Sequence, residues 1–552
     1  MGHQDCRRDG RGCFRHPPWE DAFTTSVTVE TCKRNMRREV IVIGGGCAGI
    51  VAALEAEKNG GNVMLIGRSA IGIGTNSALS NGIFAGPTPQ TTPEEYIRKT
   101  LQAGRGLNHE SMVNLVTREA PEAFSLLRSW GFELEEITGR YMVKPSRPDV
   151  IPGLTLMKVL AGKIRESNGI KLVRDFYITE ILKNEESVYG VKGFDKTGEE
   201  VIIDATAVVL ATGGAGAIYL RNDNQKNIMG QGYYLAGKAG LELWDMEFVQ
   251  FFPLVIAEPG LPSQAVFSPH PKETRLINEV GEDVFQKYEI GDLNEAIKTR
   301  RDDLSAALFK EGSKGLVYID YRNVPSSAWE KHPLSLLKRI HFDFKNKPLS
   351  VSPAAHFFMG GVRTDENGQT SLPGLFACGE VVWGLHGANR MAGNALTETV
   401  VWGRIAGQNA ARYGLTHPPS TSNPKGLIND FSRQPSPSKE RLSNIRKKIR
   451  EIAWKCGGVI RFEEGMKEGL VQVKYLEREL KGVLPQTIAD RKLKEDLISA
   501  TFVLKAVLTT SLSREESRGA FIREDFPHQD DLKWRKNSCV VYDIQEDNFS
   551  LG

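Results

Sequence analysis

The 552-residue sequence lacks the features that define several large classes of protein. No apolar run approaches the roughly 18 to 20 residues that a membrane-crossing helix needs, and no compact apolar core marks a secretion signal near the amino terminus. The seven cysteines (Cys6, Cys13, Cys32, Cys47, Cys378, Cys456 and Cys539) contain no C-x-x-C pair and form no Cys/His cluster at metal-ligand spacing. Reduced thiols are therefore expected, with no zinc and no iron–sulfur cluster held by the chain itself. Neither sign of charge dominates: 71 basic against 68 acidic residues leave a formal charge of +3, which argues against nucleic acid or an anionic membrane surface as partner. What remains is a cytoplasmic, multidomain chain, long enough for two or three hydrophobic cores, whose partners are small molecules or other proteins.

Residues 1–35 are polar, patternless and rich in Arg, Gly and Pro, and they read as an extension outside the fold. The first strong pattern follows them. EVIVIGGGCAGIVAALEAEKNGGNVMLIGR, from Glu39, reads as a buried strand, a glycine turn, a helix and a second strand. Gly44, Gly46 and Gly49 fit G-x-G-x-x-G, in which the glycines allow a tight turn, close backbone approach to a pyrophosphate and close helix–strand packing, with the phosphates on the helix N-terminus. The acidic residue that often binds a ribose at the end of the second strand is missing, and Gly67 and Arg68 stand in its place. Two later runs, VVLATGG at 208–214 and PGLFACGE at 373–380, return an apolar strand to a glycine turn. Such repeated visits from distant parts of a chain favour the long FAD molecule over NAD.

Taken in order, GTNSALSNG, ATGG, DMEFVQF, HFFMGGV, PGLFACGE, HGANRMAGNAL and ESRGAFIREDFP resemble the succinate dehydrogenase and fumarate reductase flavoprotein family, which includes L-aspartate oxidase. The resemblance implies an α/β fold: a Rossmann-like FAD-binding domain (36–240 and 351–415), an inserted α+β capping domain (241–350) and a carboxy-terminal helical domain with a tail (441–552). The Pro/Ser-rich stretch at 416–440 reads independently as a linker. Flavin contacts are implied at Arg68, at Thr75, Asn76, Ser77 and Gly82, at Thr212 and Gly213, at Glu380, and at Asn394 and Leu396. The histidine that forms a covalent flavin bond in some members aligns with Thr75, so non-covalent FAD is expected.

The resemblance also implies catalytic residues. His356 and Arg390 would grip a substrate carboxylate, and a planar, permanently charged guanidinium suits the charge that builds there as an adjacent double bond is reduced. Arg301 in TRRDDLSAAL would deliver the proton, with Arg300 as the neighbouring alternative; His386 would be either a further member of the site or a structural residue. The chain departs from the family where the second carboxylate should sit. VQFFPL places Phe252 and Leu254 where histidine and threonine are usual, and an ungapped count puts Val266 and Phe267 at a Thr-Glu pair. A carboxylate buried unpaired against such side chains would cost several kcal/mol. The expected substrate is therefore an unsaturated or saturated carboxylate other than plain fumarate, its far end apolar, aromatic or a thioester. Glu273 or Arg275 would replace altered relay partners, and His270 or Lys272 would serve if a second carboxylate were still held. With no cluster of its own, the chain would exchange electrons with a separate iron–sulfur subunit, through which any membrane association would arise, or with oxygen or a soluble donor.

Overall fold

The computed structural model describes residues 37–417 and 437–552. The expected extension at 1–35 and most of the expected linker lie outside the described residues. A seven-stranded sheet organises the cofactor half. Its order is Ile170–Val173, Val63–Ile66, Arg37–Ile43, Glu200–Leu210, Val188–Phe194 and Tyr177–Lys183, with Leu375–Ala377 pairing on Glu200–Leu210 as well. The eleven residues of Glu200–Leu210 explain this branching: the first part pairs antiparallel with Val188–Phe194, while Val208–Leu210 pairs parallel with Leu375–Ala377. Central strands such as VMLI at 63–66 are apolar throughout because both faces of the sheet are covered.

One face is covered by the helices Cys47–Lys58 and Asn394–Thr416, which lie against each other. Small residues set their spacing: a Cβ on Gly407 would stand 2.3 Å from the Ala52 carbonyl oxygen, so any larger residue would force the helices apart.

The strands Val249–Ile256 and Leu349–Phe358 leave this half and begin a four-stranded antiparallel sheet completed by Val317–Asp320 and Arg275–Asn278. Leu254, Leu276, Leu304, Leu308, Ile319 and Leu349 belong to its separate hydrophobic core, against which the helix Arg301–Gly312 packs.

Three helices, Pro437–Cys456, Glu463–Lys481 and Ile488–Ser513, pack together at the carboxy-terminal end. Ile488–Ser513 is long and apolar enough to cross a membrane by length and composition alone, although Lys505 and several Ser and Thr residues keep it from being an unbroken apolar run. Its apolar window is 78% buried within the fold, as a core helix would be. The tail beyond Ser513 contains regular strands. Cys539–Asp543 pairs with Leu243–Trp244 and with Asn548–Leu551, forming a small sheet that also includes Gly361–Val362. A buried ion network ties this end to the strand entering the cap: Arg514 pairs with Glu247 at 2.7 Å and with Glu516 at 2.9 Å, and Arg518 pairs with Glu516 at 2.7 Å. Glu516 and Arg518 of ESRGAFIRED are thereby compensated inside the protein, and Arg523 pairs separately with Asp525.

Candidate active site

The strand Arg37–Ile43 ends at Gly44, whose φ of +124° lies in the region that disfavours side chains. A Cβ there would stand 2.1 Å from the Ala211 carbonyl oxygen, and one on Gly49 would meet the Gly44 oxygen at 1.9 Å. The turn is therefore closed to any larger residue. Gly46 caps the helix Cys47–Lys58 without a side chain, which leaves its first turn open to an anion. Above this turn lies a cavity of about 1390 Å³. Small-molecule sites are typically about 300–1,000 Å³, so there is room for a dinucleotide with a second ligand beside it.

Of the expected cofactor residues, Gly44, Gly46, Arg68, Thr75, Asn76, Ser77, Thr212, Gly213, Glu380 and Leu396 line the cavity. Gly49, Gly82 and Asn394 do not: Gly49 packs beneath the turn, Gly82 accepts a backbone bond from Val143, and Asn394 is fully buried at the start of its helix. Buried Thr212 Oγ1 has no partner among the described residues, a donor and acceptor held ready in the cavity wall. An acid reaches this position from far away: Arg68 Nη2 donates to both carboxylate oxygens of Asp496 on the helix Ile488–Ser513, and Nη1 donates to the Asn227 carbonyl. Glu380 accepts from the Phe358 amide at 3.1 Å, and burial pushes its carboxyl up to about 7.

The same cavity is lined by His356, Arg390, Arg301, Phe252 and Phe267. His356, on the strand Leu349–Phe358, has its Nδ1 2.7 Å from Asp223 Oδ2, which fixes the ring. Arg390 donates to Gln250 Oε1 at 2.8 Å and stands 4.6 Å from the Phe357 ring centroid. It has no carboxylate partner among the described residues, and its buried Nε makes no hydrogen bond. Burial first, then the neighbouring Arg301, push this guanidinium down to about 9, so it is still charged at neutral pH. Gln250 also donates to Asn389 Oδ1 and to the Arg390 carbonyl, and Asn389 donates to Asp302.

The two candidate proton donors differ in surroundings. Arg300 is about half exposed and paired with Asp303 at 2.9 Å. Arg301 opens its helix inside the cavity, donates to the Ile297 carbonyl as its one side-chain bond among the described residues, and lies 5.6 Å from the Phe252 ring centroid. Burial and nearby Arg140 lower its pKa, although Asp302 opposes them.

Phe252 faces the cavity, whereas Leu254 is not among its lining residues and is fully buried in the cap core. The ladder between Val249–Ile256 and Leu349–Phe358 shifts register between Phe252 and Val255, where Pro253 has no N–H to give, and the shift breaks the alternation that would put both side chains on one face. Val266, Glu273, Arg275, His270 and Lys272 are also absent from the cavity wall. His270 is bound instead to the Tyr321 hydroxyl, and burial pushes it down to about 4. His386 is buried beside Glu398 at 2.9 Å, away from the cavity.

A family model described as an FAD binding domain matches residues 39–396, and one described as the fumarate reductase flavoprotein C-terminal region matches residues 446–552. An uncharacterized FAD-dependent oxidoreductase of Methanocaldococcus jannaschii is 31% identical, over 92% of this chain and 96% of its own. A subunit of the fumarate reductase (CoM/CoB) of Methanothermobacter marburgensis is 30% identical, over 89% and 94%. Among solved structures, the E. coli quinol fumarate reductase flavoprotein superposes with a TM-score of 0.81 at 24% identity, covering 94% of this chain and 96% of that one, a likeness of fold.

Proposed function

Because the chain belongs to the succinate dehydrogenase and fumarate reductase flavoprotein family and is an FAD-dependent oxidoreductase, we propose that it interconverts a saturated carboxylic acid and its α,β-unsaturated form, on a substrate other than plain fumarate. The observation that carries this reading is a pair of buried guanidiniums, Arg390 and Arg301, in one cavity with His356 and without a carboxylate partner among the described residues. Two such charges are costly to bury unless an anion joins them.

Gly44 and Gly46, Arg68, Thr75 to Ser77, Thr212, Gly213, Glu380 and Leu396 would hold FAD, non-covalently since Thr75 offers no nucleophilic ring nitrogen. When bound, FAD supplies hydride exchange with a carbon near the substrate carboxylate. Arg390 binds that carboxylate and stabilises the charge that accumulates on it as the double bond is reduced. Asp223 holds His356 through Nδ1, leaving Nε2 for the substrate. Arg301 gives the proton to the second carbon, and its burial beside Arg140 makes the guanidinium a stronger acid than usual. Phe252 and Phe267 support a substrate other than fumarate, because they present an apolar wall where fumarate would need a charge partner.

We place the chain in the cytoplasm, its electron partner being a separate iron–sulfur subunit, with any membrane contact made through such partners. The Methanothermobacter marburgensis relative, itself one part of a fumarate reductase, supports an assembly of this kind. The test is anaerobic oxidation of reduced viologen by FAD-loaded protein, offered fumarate beside alkyl- and aryl-substituted enoates and their thioesters. Turnover on the apolar enoates with fumarate slow is the expected result. Turnover led by fumarate would overturn the substrate assignment.

A further inference from the structure

The cavity wall carries a strong surplus of positive charge: eight Arg and Lys side chains line it, against the carboxylates of Asp223 and Glu380. Arg68 is neutralised by Asp496, whereas Arg301 and Arg390 have no carboxylate partner among the described residues. Some of the surplus sits on a hairpin to which the proposed chemistry gives no substrate contact, Arg140 entering it only through its field on Arg301. Leu134–Ile137 and Arg140–Val143 form a hairpin whose tip, Thr138–Gly139, has φ of +48° and +72° at its two residues, as a tight two-residue turn requires. The second strand of the hairpin is anchored through Tyr141, which borders the cavity, packs its ring edge-on to Phe124 at 5.1 Å and carries Arg128 over its face at 4.6 Å. It also pairs with Ile83–Phe84, so Met142 lies opposite Ile83 and both line the cavity.

Alternation puts Arg140 on the same face as Met142. Arg140 lines the cavity half-buried, and its side chain makes no hydrogen bond or ion pair to any described residue. Beyond it, exposed Arg98, Lys99 and Arg105 line the mouth, and Lys99 alone of these has an acidic partner, Glu95, among the described residues. The same wall includes the apolar side chains of Phe252, Phe267 and Ile297.

We propose that Arg140 is a second anion-binding subsite of the same cleft, and that the substrate carries a terminal oxyanion group separated by an apolar spacer from the carboxylate next to the reacting bond. The subsite rests on the reading that Arg390 and Arg301 take that first carboxylate. It reconciles an apolar wall at the usual second clamp with a cleft that is still strongly cationic: the clamp has moved outward, from the cap strand to the hairpin. It also accounts for a guanidinium kept partly out of water without a partner, and the lowering of its pKa by burial agrees. The cations at the mouth would draw a dianion inward.

The test uses FAD-loaded protein and reads ligand binding from perturbation of the flavin absorbance. Saturated α,ω-dicarboxylates from succinate to suberate are titrated beside the monocarboxylates of equal chain length, with wild type, Arg140→Met, Arg140→Lys and Arg390→Met. The expected result is a dicarboxylate longer than succinate that binds wild type about tenfold more tightly than its monocarboxylate partner. That ratio should fall to near one in Arg140→Met and be partly kept in Arg140→Lys. A ratio near one at every length in wild type, or a preference that persists in Arg140→Met, would overturn the subsite. If monocarboxylates then still bind and Arg390→Met weakens them, the first clamp stands alone. If neither series perturbs the flavin, the first clamp fails and the subsite falls with it.

Discussion

Replacing Arg390 with Met should separate function from stability. The substitution removes the 2.8 Å bond to Gln250 Oε1 and the contact with the Phe357 ring. An acceptor left without its donor costs about 1–3 kcal/mol, and a desolvated cation–π contact about 2 kcal/mol. Against these stands release of a buried charge that has no ion-pair partner among the described residues, a desolvation cost of several kcal/mol to which Arg301 adds and which the fields of Glu380, Glu398 and Asp223 offset only in part. The opposing contributions are of similar size, so FAD-loaded Arg390→Met should melt within a few degrees of wild type. Substrate binding should respond very differently. Truncating one partner of a buried, hydrogen-bonded charge pair costs about 2–5 kcal/mol, or roughly 30- to 4,000-fold in affinity. The assays are scanning calorimetry without substrate and titration of a carboxylate followed by flavin absorbance. If the variant unfolds many degrees earlier while carboxylate affinity is unchanged, Arg390 is a structural cation and the reasoning fails.

Three further outcomes follow from the same geometry. Arg301→Gln should retain FAD and bind carboxylates but lose about 10²- to 10⁴-fold in turnover, as expected for loss of a general acid; equal losses in Arg300→Gln and not in Arg301→Gln would reassign the proton donor. Burial raises the Glu380 carboxyl from 4.5 to about 7, so its contribution to stability is complete below about pH 4.5 and is lost as pH rises toward 7. FAD-stripped Glu380→Gln should therefore show a flatter melting profile than wild type across that window, by up to about 3 kcal/mol, and identical profiles would contradict the assignment. Acid precipitation of the loaded protein should leave a colourless pellet and a yellow supernatant; a yellow pellet would show a covalent flavin bond.

Local patterns were readable where the chain's neighbours in sequence are also its neighbours in space. The turn of Gly44, Gly46 and Gly49 is such a case, and the strand–turn–helix run around it predicts its own geometry. Long-range pairing left no comparable trace. Asp223 lies in RNDNQKN, where nothing marks it as the partner of His356, and Asp496 is one acid on a helix that meets Arg68 only after the carboxy-terminal helices have packed. Gln250 stands within the quoted VQFFPL, yet its role depends on the register that sets it beside Arg390. Leu254 shows the opposite failure. Its position suggests a substrate contact, but the irregularity at Pro253 carries it out of the cavity wall. Arg140 was invisible because a lone arginine in a hairpin is ordinarily a solvated charge, and only the fold of the hairpin over the cleft makes it otherwise.

The most direct measurement of the central claim is a single turnover: FAD-loaded protein, chemically reduced under nitrogen, is mixed with either an apolar-substituted enoate or fumarate, and the return of flavin absorbance is timed while the organic product is identified. The account predicts rapid reoxidation by the substituted enoate with formation of its saturated acid, and slow reoxidation by fumarate. Rapid reoxidation by fumarate, yielding succinate while the substituted enoates stay inert, would contradict it.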